Sequence, residues 1–157
     1  MSNTQAVCNS FKAEVMRGLH ALGTSVVRAG TGADSVYAAL YLSTATVNAS
    51  TTAYSVTNEV SSSGTNYTAG GVAVTNATAP TVDPTDGTVG IWTPSAAIVY
   101  SGVTLATPFN CVLLYNNTAA GKNAIAAYVF GDQTVTAGTL TLTMPANGKT
   151  TALLRLA

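Results

Sequence analysis

Charged side chains are scarce in this sequence: six basic and six acidic residues, 8% of 157, where about 25% is usual for soluble domains. The formal net charge is zero. No basic stripe marks a nucleic-acid footprint, and no acidic surplus marks a disordered tail. Histidine is scarcer still, with His20 alone. A serine or cysteine nucleophile needs a base beside it, and His20 is the only imidazole to serve. No G-x-S-x-G elbow occurs. The carboxylates Glu14, Asp34, Glu59, Asp83, Asp86 and Asp132 fall in separate segments, so no acid–base pair is indicated. The expectation is a chain without catalytic residues, with His20 a surface or capping group where a helix dipole favours it.

Other absences narrow the field further. Cys8 and Cys111 make no disulfide framework and read as free, buried thiols. No apolar run approaches the ~18 residues of a membrane span. The opening MSNTQAVCNSFKAEV has no basic start followed by an apolar core, so synthesis in the cytoplasm is expected. Asp83-Pro84-Thr85-Asp86-Gly87 lacks the alternating ligands of a calcium loop and reads as a turn. Ala29-Gly30-Thr31-Gly32-Ala33 contains a GxG without the lysine of a phosphate loop and reads as a connection. Neither metal nor cofactor is expected.

What is present is a helix followed by strands. Ser2-Asn3-Thr4-Gln5 has the form of a capping box. Val7, Phe11, Val15, Leu19 and Leu22 then recur every three or four residues, which predicts a helix from Asn3 to Leu19, with Gly18 weakening its last turn and Gly23 ending it. Beyond Gly23 the pattern shortens. Val36 to Leu42 is apolar on both faces and predicts a central strand. Shorter strands are predicted at 52–56, 72–75, 89–92, 97–105, 110–115, 125–130 and 152–156, with SSSGTNYTAGG as turn material between the first two. Gln133–Thr136 and Thr139–Thr143 flank Ala137-Gly138 and read as a tight hairpin. Threonine, about one residue in six, suits half-exposed sheet. The predicted fold is all-β, an antiparallel β-sandwich, jelly-roll-like or barrel-like, over 24–157, preceded by one N-terminal α-helix in an arm over 1–23.

A surface of threonine, serine and asparagine hydrates without repelling its neighbours, which suits a protein packed among other chains. Candidate partner contacts are Val7, Phe11 and Val15 on the helix stripe, which is either a brace on the sandwich core or an arm for a neighbour. Tyr67 and Trp92 join them, since aromatics favour interfaces. Tyr54, Tyr67, Trp92 and Tyr100 could also make a sugar platform, although core or sheet-edge packing is the commoner role of such aromatics, Trp92 before Thr93-Pro94 included.

Three stretches carry a resemblance: MSNTQAVCNSFKAE, then RAGTGADSVYAALYLSTATVNASTTAYSVTNEVSSSGTNYTAGG, then VLLYNNTAAGKNAIAAYVFGDQTVTAGTLTLTMP. Together they span almost the whole chain. With YTAGG at Tyr67–Gly71 and FGDQTVTAGTLTLTMP as the most telling parts, the sequence resembles small virion structural proteins of tailed bacteriophages. The resemblance implies capsid decoration or cement on the outside of the head, a homo-oligomer, the major capsid protein or other virion proteins as partners, and residence in the virion. Neither nucleic acid nor membrane is expected as a partner, on the charge and hydropathy already given. The alternative is a tail, neck or fibre protein, with receptor or glycan binding. The resemblance supplies no catalytic residue, and a cell-wall hydrolase built on His20 is the remaining rival.

Overall fold

The computed structural model describes residues 2–23, 32–76, 78–85 and 87–157. Among these residues two antiparallel sheets share one core and a single short helix lies near the N-terminus, as the all-β sandwich expectation required. The strands are β1 (Ala6–Val7), β2 (Val36–Leu42), β3 (Val72–Ala73), β4 (Thr81–Val82), β5 (Gly90–Trp92), β6 (Ile98–Asn116), β7 (Ala124–Leu142) and β8 (Leu154–Leu156). The larger sheet runs β1-β7-β6-β2-β3 and the smaller β4-β5-β8. Strand β2 lies between β6 and β3 with five of its seven residues buried, the outcome of an apolar pattern on both faces. Among the described residues no helix is long and apolar enough to cross a membrane.

The helix is shorter than its stripe. Helix α1 spans Asn9–Met16, not 3–19. Ahead of it the chain is extended, because tertiary partners take its backbone first. Thr4 N donates to Val47 O and Cys8 N to Ile125 O, while β1 pairs with Ala126 and Ala127 of β7. The capping box led by Ser2 is not formed, since Cys8 stands at the N-cap. Asn3 is buried, donating to Leu42 O and Asn110 Oδ1 and accepting from Val47 N. At the other end Gly18 (φ 70°) is the terminator, with Gly18 N donating to Val15 O and Leu19 N to Glu14 O. That bonding pattern is a Schellman motif, and it turns the chain back along the helix. Small Ala124, Ala126 and Ala127 on β7, all fully buried, leave room for Cys8 and Phe11 in the same core.

Strands β6 and β7 are each 19 residues long and continuous where several short strands were predicted. The loop NNTAAGKN joins them as expected, but Ala137-Gly138 is not a hairpin turn. Ala137 (φ 46°) sits in β7 where the register with β6 slips. A left-handed residue followed by glycine serves a bulge as well as a tight turn, so local sequence cannot tell them apart. The bulges bend the hairpin sharply. Tyr100 lies fourteen residues before Leu114, ~46 Å away in a straight strand. Yet its hydroxyl donates to Ala38 O, 2.9 Å off, on the residue paired with Leu114. The distal half of the hairpin therefore folds back over β2, and Ile98, Tyr100, Val103 and Leu105 close the core from that side. The predicted strand at 52–56 is reduced to one bridge, Ala53 to Asn123.

Candidate functional site

Polar chemistry collects where the reversed chain after α1 meets the β6–β7 turn. The reversal at Gly18 brings the His20 ring back beside Glu14, with Nε2 2.8 Å from Oε2. Asn116, fully buried at the end of β6, fixes the other ring nitrogen. Its Oδ1 accepts from Thr118 N and Ala119 N, at 3.0 and 3.1 Å, so its Nδ2 must face the opposite way. There it donates to Asp34 Oδ2 (2.8 Å) and to His20 Nδ1 (3.2 Å). The ring thus accepts at Nδ1 and carries its proton on Nε2, directed at Glu14. Asn123 Nδ2 donates to Glu14 Oε1 at 2.7 Å, and Ala21 N to Asp34 Oδ2 at 2.6 Å.

His20 is therefore not a surface group, as the sequence had suggested: its side chain is 1% exposed. Partners some 96 residues away in sequence bury it, which no local pattern reveals. With both nitrogens engaged, the imidazole links Glu14 to Asn116 and has no lone pair open to a substrate. Burial first, and the nearby Glu14 charge second, push the Cys8 thiol up to about 11. Cys111 rises to about 12 through burial and then Cys8. Both are free, buried and held as thiols, the reverse of an activated nucleophile.

Beside this cluster an apolar cleft of about 380 Å³ opens between the N-terminal segment and the smaller sheet. Phe11, Val15 and His20 form one wall, and Ile91, Trp92 and Leu156 another. Val82, Gly90 and Leu156 pair in one row across the sheet. The Trp92 Nε1–H is already given to Thr78 O at 2.9 Å, so the cleft offers little polar recognition. Of the five residues expected at a partner interface, Phe11, Val15 and Trp92 meet here. Only Val15 is exposed, at 36%. Phe11, Tyr67 and Trp92 are buried within the chain, which corrects their reading as free contact surface. Val7 is half-buried in β1.

A second polar centre is barely legible in the sequence. Glu59, buried at 7% exposure, accepts from Tyr67 Oη (2.7 Å) and Gly70 N (2.7 Å) at Oε1, and from Tyr54 Oη (2.6 Å) at Oε2. Tyr67 Oη in turn accepts from Leu40 N of β2 at 2.9 Å. Tyr115 donates to Gly70 O and stacks on Tyr54, with ring centroids 4.7 Å apart. Tyr67 and Tyr100 stack at 6.0 Å. Of the four aromatics of the sugar-platform reading, Tyr67 and Tyr100 are buried and Tyr54 half-buried in a tyrosine cluster tied to one carboxylate, while Trp92 lies apart at the cleft. The turn-rich sequence around Glu59 hid it. Its only signal was a lone acid between Tyr54 and Tyr67 in an otherwise neutral stretch.

This cluster makes the fold sensitive to alkali. Burial, and then the Glu59 charge, raise Tyr67 and Tyr100 far above the ordinary tyrosine value, and Tyr115 to about 12. Tyr41 also rises to about 12, chiefly through burial. A raised value means that the fold holds the neutral phenol. The stabilisation is complete below the unfolded value near 10 and is lost as pH climbs toward the folded values. Tyr67 and Tyr100 together should remove about 3 kcal/mol of stability per pH unit above about pH 10. Tyrosinate absorbance and far-UV circular dichroism should therefore change together in one step. Gradual tyrosine ionisation near pH 10 with the sheet signal intact would contradict this burial.

Asp83 is accounted for as a turn. Its carboxylate accepts from Thr85 N at 2.8 Å and from Lys149 N at 2.7 Å. Asp86 and most of Ala29–Ala33 lie outside the described residues. Among the described residues no group of three or more His, Cys, Asp or Glu could hold a metal ion. No family model, curated protein or solved structure matches the chain.

Proposed function

We propose that this chain is a virion structural protein of a tailed phage, most specifically a decoration or cement protein. In this reading it binds the outside of the head and joins adjacent capsomers as a homo-oligomer, with no catalytic role. The observation that carries the proposal is where the few charges go. Of the described acids, Glu14, Asp34, Glu59 and Asp83 are buried, and only Asp132 is exposed. Glu14, Glu59 and Asp83 have both carboxylate oxygens hydrogen-bonded within the chain. His20 has both ring nitrogens likewise occupied. Ionisable groups used to tie loops to a rigid sheet suit a protein that works by shape and buried area, with many copies multiplying modest contacts.

The same distribution amends the idea of a neutral exterior. Lys12, Arg17, Lys122, Lys149 and Arg155 are all exposed, so the described surface is mildly basic although the chain as a whole is neutral. That favours a partner surface with excess negative charge. The test is quantitative mass spectrometry of purified particles together with binding of the isolated protein to heads. Hundreds of copies per particle and salt-sensitive binding to heads support decoration. About a dozen copies or fewer would move the protein to neck or tail, and its absence from particles would end the proposal.

A further inference from the structure

The larger sheet ends in an unprotected strand edge. Strand β1 meets β7 only at Ala126 and Ala127, and no other strand among the described residues pairs with that side of β7 as far as Leu142. Monomeric proteins blunt such edges with lysine, proline or bulges, because unpaired N–H and C=O groups recruit another strand. The β7 sequence contains no lysine, arginine or proline. Its register slips all fall opposite Tyr100 to Tyr115, which leaves Leu140, Thr141 and Leu142 in unbroken register with Tyr100, Val99 and Ile98. Along this straight run Leu140 and Leu142 pack on the core, and Thr139, Thr141 and Thr143 are exposed.

Charge selects the occupant. None of the exposed cations Lys12, Arg17, Lys122, Lys149 and Arg155 belongs to β6 or β7, and Asp132 is the one charge on either strand. Two copies approaching through the faces that carry these cations bring like charges together, whereas along this edge they do not. We propose that a second copy of this chain adds its own β7 to this edge, antiparallel, about a two-fold axis near Leu140. Such a contact is isologous, so each copy supplies the same groups, and Thr139 of one lies opposite Thr141 of the other. The proposal deepens the assembly reading above and rests on it only for its biological setting.

The experiment uses the full chain and two double variants, Thr139→Lys with Thr141→Lys, and Thr139→Glu with Thr141→Glu. All four substitutions replace exposed side chains, and melting curves will confirm that each variant folds. Sedimentation should show a wild-type dimer and, in each variant alone, dimerisation weakened about tenfold or more, since like charges then oppose across the axis. An equimolar mixture of the lysine and glutamate variants should recover the dimer. A wild-type chain that stays monomeric at high concentration, or a dimer that both variants leave unchanged, overturns the pairing. Equal weakening without recovery in the mixture also overturns it, because an edge contact must respond to charge reversal. Particle association is scored separately: a dimer missing from particles keeps the pairing and removes the virion role, and a monomer found on heads does the opposite.

Discussion

Gly71→Ala is expected to cost about 4 kcal/mol or more and to leave little soluble, folded protein. A Cβ placed on Gly71 would stand 1.7 Å from Ala38 O, 2.5 Å from Ala38 C and 2.8 Å from Ala39 Cα. All three are backbone atoms of the central strand β2, so no side chain can swing aside to make room. The residue also has φ 78°, which an L side chain resists. Gly64→Ala separates the two effects, because Gly64 has a similar φ of 69° but nothing within 4 Å of an added Cβ. Its cost should be about 1 kcal/mol, the backbone term alone. Urea unfolding of both variants gives the comparison. Equal midpoints would mean that the chain at Gly71 does not press on β2 as described.

The same position shows what was readable in the sequence and what was not. YTAGG reads correctly as turn material, because glycine signals positive φ locally. That this turn must also clear the Ala38 carbonyl depends on β2 and β3 pairing, which no local signal encodes. Val36–Leu42 was legible because a strand buried on both faces is apolar at every position. The helix was overread because a stripe from Val7 to Leu22 fits α periodicity even where Asn3, Thr4 and Cys8 bond to distant backbone. Ala137-Gly138 was misread because turn and bulge demand the same dihedral. The polar centres were the least legible part: His20 is defined by Asn116, and Glu59 by residues from Leu40 to Gly70. Scattered acids looked uninformative in sequence, yet most of them prove to be the internal fasteners of the loops.

Removing the strongest of these fasteners should show how much the loops depend on it. Glu59→Ala is expected to lower stability by about 3–5 kcal/mol, because it leaves the hydroxyls of Tyr54 and Tyr67 and the amide of Gly70 without their acceptor. Glu59→Gln should cost about half as much, since one carbonyl oxygen can still accept while the new amide N–H₂ faces a donor. Tyr67→Phe removes one donor and, with it, the acceptor for Leu40 N. The double variant Glu59→Ala, Tyr67→Phe should therefore cost less than the sum of its parts, with a coupling of about 1–2 kcal/mol in a double-mutant cycle measured by urea unfolding. Strict additivity would mean that Glu59 holds the loop through Gly70 and Tyr54 alone. If Glu59→Ala left the unfolding midpoint unchanged, a buried carboxylate with three donors would be contributing nothing. The segment 52–71 would then have to be held by packing alone, with its tyrosines free to face outward toward a ligand after all.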